Sequence, residues 1–134
     1  MNLDYWDTSG LIRAFTRAEK PRGITRPHSV AEFFCVLTGP GLAVSVNGRI
    51  VKKTLSPAVA FKAVEETFSE MRFYELGGRE TISCVGDSVP SNILGKNIHD
   101  WMHCQAAQAS KADRIKTLNT SDFSAMTKLP LSEP

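Results

Sequence analysis

The sequence predicts an α/β fold, a three-layer α/β/α sandwich with a central, mainly parallel sheet and a small β-hairpin near Asn47-Gly48. The first observation is the order of periodicities, because short β-type runs alternate with amphipathic helical stretches. Parallel strands need crossover connections, and helices supply them on both faces of such a sheet. The second observation is length. A chain of 134 residues with 42% hydrophobic content suffices for one buried core, so we expect a single domain over 1–134.

The first strand–helix unit lies at the N-terminus. Leu3 to Trp6 predicts a short strand, and the apolar spacing after it predicts a helix from Gly10 to about Ala18. Thr8 and Ser9 are both suitable N-caps for this helix. Asp7 therefore falls at the carboxyl end of the first strand.

A second unit follows. Ile24 to Arg26 predicts a brief extended segment, and Ser29 predicts the cap of a helix with Glu32 in its first turn. The Gly39-Pro40-Gly41 sequence ends that helix, because glycine and proline are the strongest local breakers.

The middle of the chain changes to β-type residues. In the segment from Leu42 to Leu55, β-type residues lie on both sides of Asn47-Gly48, and this dipeptide is the strongest short-range hairpin signal. Ser56-Pro57 then has the favoured cap-then-proline order for a helix that ends near Met71. Its predicted buried stripe consists of Val59, Ala60, Ala63, Val64, Thr67 and Phe68. Phe73 to Leu76 predicts the next strand.

The C-terminal part predicts two helices and a strand. Arg79 to about Asp87 forms the first helix, and Asn97 caps a second helix that contains Asp100. Arg114 to Leu118 predicts the last strand, because β-branched residues are favoured there. Asp122 follows this strand closely.

Charge alone does not indicate a partner. The formal net charge is +2, from 16 basic and 14 acidic residues. Two groups of bases occur, namely Arg13, Arg17, Lys20, Arg22 and Arg26, then Arg49, Lys52 and Lys53. Such groups can contact phosphates, but a solvated surface is the favoured interpretation.

Cysteine usage and hydropathy indicate the class of protein. Cys35, Cys84 and Cys104 are widely separated and lack a Cys-x-x-Cys pair, so we expect buried free thiols rather than disulfides or a zinc site. No apolar run is long enough for a membrane span, and the N-terminus carries acids where a signal peptide carries bases. We therefore expect a cytoplasmic protein with no membrane partner.

Acidic residues are the candidates for chemistry. Asp7 and Asp122 follow strands, and ligands bind at the carboxyl ends of parallel strands. Glu32 and Asp100 lie in apolar helical stretches, where a carboxylate is costly to desolvate without a partner. Clustered oxygen ligands of this kind suit Mg²⁺ or Mn²⁺, and one or two such ions would support phosphodiester hydrolysis. Clustered carboxylates repel one another, so activity should fall as the pH drops.

Four motifs, in order, resemble the PIN domains and, within that family, the VapC-like toxins. They are Trp6-Asp7-Thr8-Ser9-Gly10-Leu11-Ile12, Ser29-Val30-Ala31-Glu32-Phe33, Ile98-His99-Asp100 and Thr117-Leu118-Asn119-Thr120-Ser121-Asp122-Phe123. Each motif is short, but together they span nearly the whole chain in the right order. The resemblance implies a PIN-like fold and metal-dependent endonucleolytic cleavage of RNA.

The resemblance also implies roles for particular residues. Asp7, Glu32 and Asp100 would be metal ligands, while Ser9 and Thr117 would orient acids through hydrogen bonds. Partners implied by the family are an RNA substrate, an antitoxin whose segment occupies the groove beside the acids, and a second copy in a homodimer.

The chain departs from the family pattern in two places. Many relatives have an acid two positions after the threonine, where this chain has Asn119, so either Asn119 or Asp122 would complete the metal site. The hairpin around Asn47-Gly48 lies where many relatives continue directly between helices, and it could shape the substrate groove or a dimer contact.

An alternative function is a catalytically weakened PIN-like module that binds RNA or a protein partner. Asn119 supports this alternative, and the three retained acids oppose it. His103 follows Asp100 by three positions on one helical face, but a hydrogen-bonded structural histidine is the favoured interpretation. We therefore leave His103 out of the predicted site.

Overall fold

The computed structural model describes residues 2–134. In chain order the elements are β1 (Asp4–Trp6), α1 (Thr8–Thr16), β2 (Gly23–Thr25), α2 (His28–Thr38), β3 (Leu42–Val46), β4 (Arg49–Lys53), α3 (Pro57–Phe68), β5 (Met71–Phe73), α4 (Gly78–Ser88), α5 (Asn97–Ala109), β6 (Arg114–Lys116), α6 (Thr120–Ser124) and β7 (Leu131–Ser132). A short 3₁₀ turn, Val89–Ser91, follows α4.

The central sheet has five strands in the order β5-β2-β1-β6-β7, and every neighbouring pair is parallel. Strand β1 lies in the middle, with Tyr5 opposite Ile24 on one side and Ile115 on the other. This sheet, flanked by helices, confirms the predicted α/β fold. Because all strands point the same way, the residues after β1 and β6 meet at one edge.

Two hydrophobic clusters pack against the two faces of the sheet. Successive side chains of a strand point to opposite faces, so Tyr5 and Trp6 enter different clusters. Trp6 packs with residues of α1, α2 and α3, including Leu11 and Phe33. Tyr5 packs with residues of α5, β6 and α6, including Ile115. The sheet is therefore covered by helices on both faces.

Strands β3 and β4 form the separate antiparallel hairpin that was predicted. Its turn residues Asn47 and Gly48 both have positive φ, 51° and 77°, as a two-residue hairpin turn requires. Leu42 and Val44 belong to or pack against the core, which anchors the base of the hairpin. The outer part projects into solvent, and Ile50 is 79% exposed.

Helix α3 begins as predicted and ends earlier. The Ser56 side chain accepts a hydrogen bond from the Val59 N–H, and Pro57 is the first helical residue. The helix ends at Phe68, because the segment from Met71 pairs with β2 as strand β5. Val59 was predicted to be buried but is 54% exposed, since the packed face of α3 begins at the following residue.

Three predicted helix caps are corrected. Asp7, rather than Thr8 or Ser9, caps α1. Ser29 lies inside α2, where its hydroxyl contacts Thr25 at 2.7 Å, so Glu32 falls in the second turn of that helix. Asn97 is the first residue of α5 rather than its cap. In each case a tertiary contact or a neighbouring residue displaces the locally preferred cap.

The C-terminal segment adds one strand that was not predicted. Strand β7 pairs with β6 at the sheet edge, while β6 ends at Lys116, two residues before the predicted end.

Among the cysteines, the prediction of burial is right for Cys104 and wrong for Cys35, which is exposed. In the described part of the chain, no helix is long and apolar enough to cross a membrane.

Candidate functional site

A cleft of about 740 Å³ opens at the carboxyl edge of the sheet. Its walls come from α1, α2, α5, the base of the hairpin and the segment after β6. Four of the five predicted metal ligands line it, namely Asp7, Glu32, Asp100 and Asn119. They come from four separate parts of the chain, which the parallel sheet brings to one place.

Asp7 lies at the floor of the cleft and is only 2% exposed. Its Oδ1 accepts hydrogen bonds from the Gly10 N–H (2.8 Å) and the Ser9 hydroxyl (2.8 Å). Its Oδ2 accepts a hydrogen bond from the Thr117 hydroxyl (2.7 Å). The carboxylate is therefore held by donors from its own helix and from the segment after β6.

Gly10 is required by a close backbone approach. A Cβ at this position would lie 2.5 Å from the Lys116 carbonyl oxygen, so any side chain would push α1 away from β6. The Ser9 hydroxyl also accepts a hydrogen bond from the Leu118 N–H at 3.0 Å. This tight junction fixes the start of α1 against the loop after β6 and thereby fixes Asp7.

Burial raises the pKa of Asp7, because desolvation disfavours the charged form. The positive field of His103 and the three hydrogen bonds oppose this effect without cancelling it. A buried carboxylate with a raised pKa in a cleft is typical of a functional group rather than of a stabilising one.

Glu32 is the second carboxylate of the cleft. Its Oε1 lies 3.3 Å from His103 Nε2 and 3.8 Å from His28 Nε2. Burial acts to raise the pKa of Glu32, but the hydrogen-bonding and charge effects of His103, together with His28, hold it below its ordinary value. The same Oε1 is buried and has no hydrogen bond of good geometry, as is also true of Thr8 Oγ1.

His103 is positioned from behind by Tyr5. The Tyr5 hydroxyl lies 2.8 Å from His103 Nδ1, and both residues are buried. In a neutral imidazole the Tyr5 hydroxyl donates to Nδ1 and the Nε2–H faces Glu32. In the imidazolium, whose positive charge acts on Asp7 and Glu32, the Nδ1–H donates to the Tyr5 oxygen. His103 lines the cleft directly, so the structural role assigned to it from the sequence is incomplete.

Asp100 is the third carboxylate and lies in the first turn of α5. Burial raises its pKa, and the negative charges of Asp7, Asp122 and Glu32 raise it further, against the opposing effect of His103. Asp122 is exposed on α6 and does not line the cleft. Its charge nevertheless reaches Asp100, whereas Asn119 lines the cleft itself.

The donor set fits a hard divalent cation. Within residues 2–134, no three His, Cys, Asp or Glu side chains converge into a ready-formed cage. Mg²⁺ and Mn²⁺ do not need one, because Mg²⁺ in particular keeps several waters and takes one or two carboxylates. Glu32 Oε1 and Thr8 Oγ1, two buried oxygen atoms that form no hydrogen bond of good geometry, lie on residues that line the cleft with the mutually repelling carboxylates.

Three cations from the two groups of bases also line the cleft, although the sequence favoured a solvated surface for both groups. They are Arg13, Arg17 and Lys52. The available signal was spacing, since Arg13 and Arg17 follow Ser9 by four and eight positions and therefore share its helical face. Lys52 carried no such signal, because only the path of the hairpin brings it to the cleft.

The chain matches no family model, and no curated protein matches it significantly. Its function is therefore inferred from the residues of the cleft.

Proposed function

We propose that this protein is a metal-dependent endoribonuclease of the PIN type that cleaves RNA phosphodiester bonds with Mg²⁺ or Mn²⁺. One observation carries the proposal: three carboxylates from separate helices and strand ends face one cleft, and the most buried, Asp7, is held by three hydrogen-bond donors. Burying acids together is unfavourable for stability, so an arrangement of this kind needs a functional explanation.

Asp7, Glu32 and Asp100 would hold the cation, and either Asn119 or Asp122 would complete its protein ligands. A bound divalent cation supplies electrostatic stabilisation of the negative charge that develops on the phosphate. Ser9 and Thr117 keep the Asp7 carboxylate oriented, and His103 does the same for Glu32. The carboxylates must be ionised for this role, so the proposed activity falls at low pH.

The proposal extends to two protein partners. As the toxin of a toxin–antitoxin pair, the protein would be inhibited by an antitoxin segment that lies in the groove beside the acids and places a basic side chain among them. A homodimer is supported by exposed apolar side chains on and after α4, because exposed apolar patches mark interaction sites. They are Ile82, Val85, Val89 and Leu94.

The experiment is cleavage of structured and single-stranded RNAs by the purified protein with Mg²⁺, Mn²⁺ or EDTA. Asp7→Asn should lower metal-dependent cleavage on the order of 10³-fold, and Asp100→Asn should also lower it strongly. Asp87→Asn, the same substitution on exposed α4, should leave it unchanged. Metal should also raise the melting temperature of the wild type and of Asp87→Asn, but much less that of Asp7→Asn.

The second candidate is a weakened module that binds RNA or a protein without cleaving. It is favoured by one observation, that an amide, Asn119, lines the cleft where Asp122 does not. The two candidates separate in the same assay. Well-folded protein that neither cleaves RNA nor gains thermal stability from metal would support the binding module.

A further inference from the structure

Part of the cleft surface is positively charged. We call Arg13, Arg17 and Lys52, which all line it, the cationic wall. Arg13 lies in the last turn of α1 and Arg17 is its C-cap, so the two are about 6 Å apart along the helix axis. Because Asp7 caps the other end of α1, the cationic wall leads away from the carboxylates along one side of the cleft.

The cations of this wall are not neutralised by the acids of the same cleft. Within residues 2–134, the ion pairs of Arg and Lys side chains are those of Arg22 with Glu70 and Arg114 with Asp4. Arg17 donates one hydrogen bond from Nη1 to an oxygen of Pro134, the last described residue (2.7 Å), and within residues 2–134 its guanidinium donates no second hydrogen bond. The cationic wall therefore retains its charge for a ligand.

The hairpin supplies the third cation of the wall. Lys52 pairs across the strands with Ala43, and both residues line the cleft. The strand period of two places the Ser45–Ile50 pair on the same face, nearer the hairpin tip. The opposite face carries Leu42 and Val44, which pack on the core and hold the hairpin in place.

Charge balance indicates what the cationic wall binds. Three carboxylates repel any polyanion, so a nucleic acid that reaches them needs cations nearby to hold its phosphates. Asp7 lies at the floor with 2% exposure. A rigid duplex cannot lower a phosphate to such a floor, whereas a single strand can enter and bend.

We propose that the cationic wall binds the phosphates of a single-stranded RNA that flank the bond to be cleaved, with the hairpin as a substrate-binding arm. The identity of the scissile position rests on the proposed function, but the phosphate contacts do not. A positively charged groove that follows the backbone of a single strand is a general mode of recognition.

The test measures binding of a short unstructured RNA by fluorescence anisotropy in EDTA, so that no cleavage intervenes. Each of Arg13→Gln, Arg17→Gln and Lys52→Gln should weaken binding about 5-fold at 0.1 M salt, because one phosphate contact contributes about 0.7 to the salt slope. The triple variant should bind about 100-fold more weakly, and its salt slope should fall by about 2.

Lys53→Gln is the matched control, since Lys53 is the next residue of β4, is exposed and does not line the cleft. It should change affinity by less than about 2-fold, while unchanged melting temperatures establish that all variants fold. The same RNA in a duplex should bind more weakly than the single strand.

Two results would overturn the proposed role of the cationic wall in binding RNA. One is a triple variant that binds RNA like the wild type, and the other is a duplex that binds as tightly as the single strand. If the wild type cleaves RNA but the triple variant retains full affinity, this inference fails and the proposed function stands. If affinity falls as expected but no metal produces cleavage, the inference stands and the proposed function fails.

Discussion

The two charged regions of the cleft are built in opposite ways. The carboxylates Asp7, Glu32 and Asp100, here called the acidic floor, are buried or half-buried. Asp7 is held by hydrogen bonds and Glu32 by close contacts with histidine. The cationic wall is more exposed, and its side chains are free of ion pairs within residues 2–134. Rigid groups suit chemistry, which needs fixed geometry, while mobile cations suit a backbone of variable path.

The acidic floor and the cationic wall also differ in their effect on the stability of the folded state. Holding carboxylates together out of water disfavours the folded state, and both Asp7 and Asp100 have raised pKa values because of burial. Exposed cations carry little such cost but are screened by salt. The acidic floor should therefore determine whether the bond is cleaved, and the cationic wall should determine how tightly the strand is held.

The largest expected effect is on the acidic floor. Asp7→Asn should lower metal-dependent cleavage on the order of 10³-fold, because it removes several kcal/mol of electrostatic stabilisation. Folding should survive, since the amide oxygen can still accept from the Gly10 N–H. Cleavage rates and melting temperature, measured beside Asp87→Asn, check this expectation. Retention of full activity would place the chemistry elsewhere.

The next largest effect is expected at Tyr5, which positions His103 behind Glu32 of the acidic floor. Tyr5→Phe should weaken Mn²⁺ binding about 10-fold, the lower end of the effect of a residue directly behind a metal ligand, because Tyr5 acts on Glu32 through His103. The substitution leaves His103 Nδ1 buried without its hydrogen-bond partner, so the free energy of unfolding should fall by about 1–3 kcal/mol. Isothermal titration with Mn²⁺ measures the affinity directly. Tyr74→Phe, on the half-buried Tyr74, is the matched control, and an equal loss there would contradict the role of Tyr5.

A smaller effect should come from extending the cationic wall. Ile50→Lys adds a cation on the hairpin face that carries Lys52, so it should tighten RNA binding about 5-fold at 0.1 M salt. Val51→Lys adds the same charge on the opposite face and should give less than half of this gain. Ile50 is highly exposed, so stability should change by less than about 0.5 kcal/mol. Equal gains from both variants would indicate a general charge effect.

The smallest expected effect is on the stability of the metal-free protein. The raised pKa of Asp100 means that the folded state holds this proton more tightly than the unfolded state. Its contribution to stability is therefore present at low pH and lost as the pH rises through the folded pKa. Asp100→Asn should melt a few degrees higher than the wild type at neutral pH, and the gap should close below about pH 4.

Melting curves in EDTA across this pH range measure the gap. Glu32 has a lowered pKa and should act in the opposite sense, since its contribution is lost as the pH falls. Adding Mg²⁺ should reverse the order of the wild type and Asp100→Asn at neutral pH, because the cation would bind only the intact acidic floor tightly. A gap that does not depend on pH would contradict the electrostatic explanation.

The elements that were predicted correctly depend on local signals. Asn47-Gly48 determines its turn through its own backbone preferences, and Ser56-Pro57 starts a helix for the same reason. The edge of the sheet that carries Asp7 was also predictable, because parallel strands share one carboxyl edge. Asn119 and Asp122 could not be separated in this way, since a turn of α6 decides which of them faces the cleft.

The sequence by itself determined the order of the strands and helices as far as β6, the hairpin, and the position of Asp7 after β1, because each depends on residues close together in the chain. Only the tertiary structure decided that His103 reaches Tyr5, 98 positions away, and that Asp7 is the acid to which Thr117 donates, across 110 positions. It also decided that Lys52 lines the acidic cleft. Contacts between such distant residues depend on how the elements pack, and no local pattern records that packing.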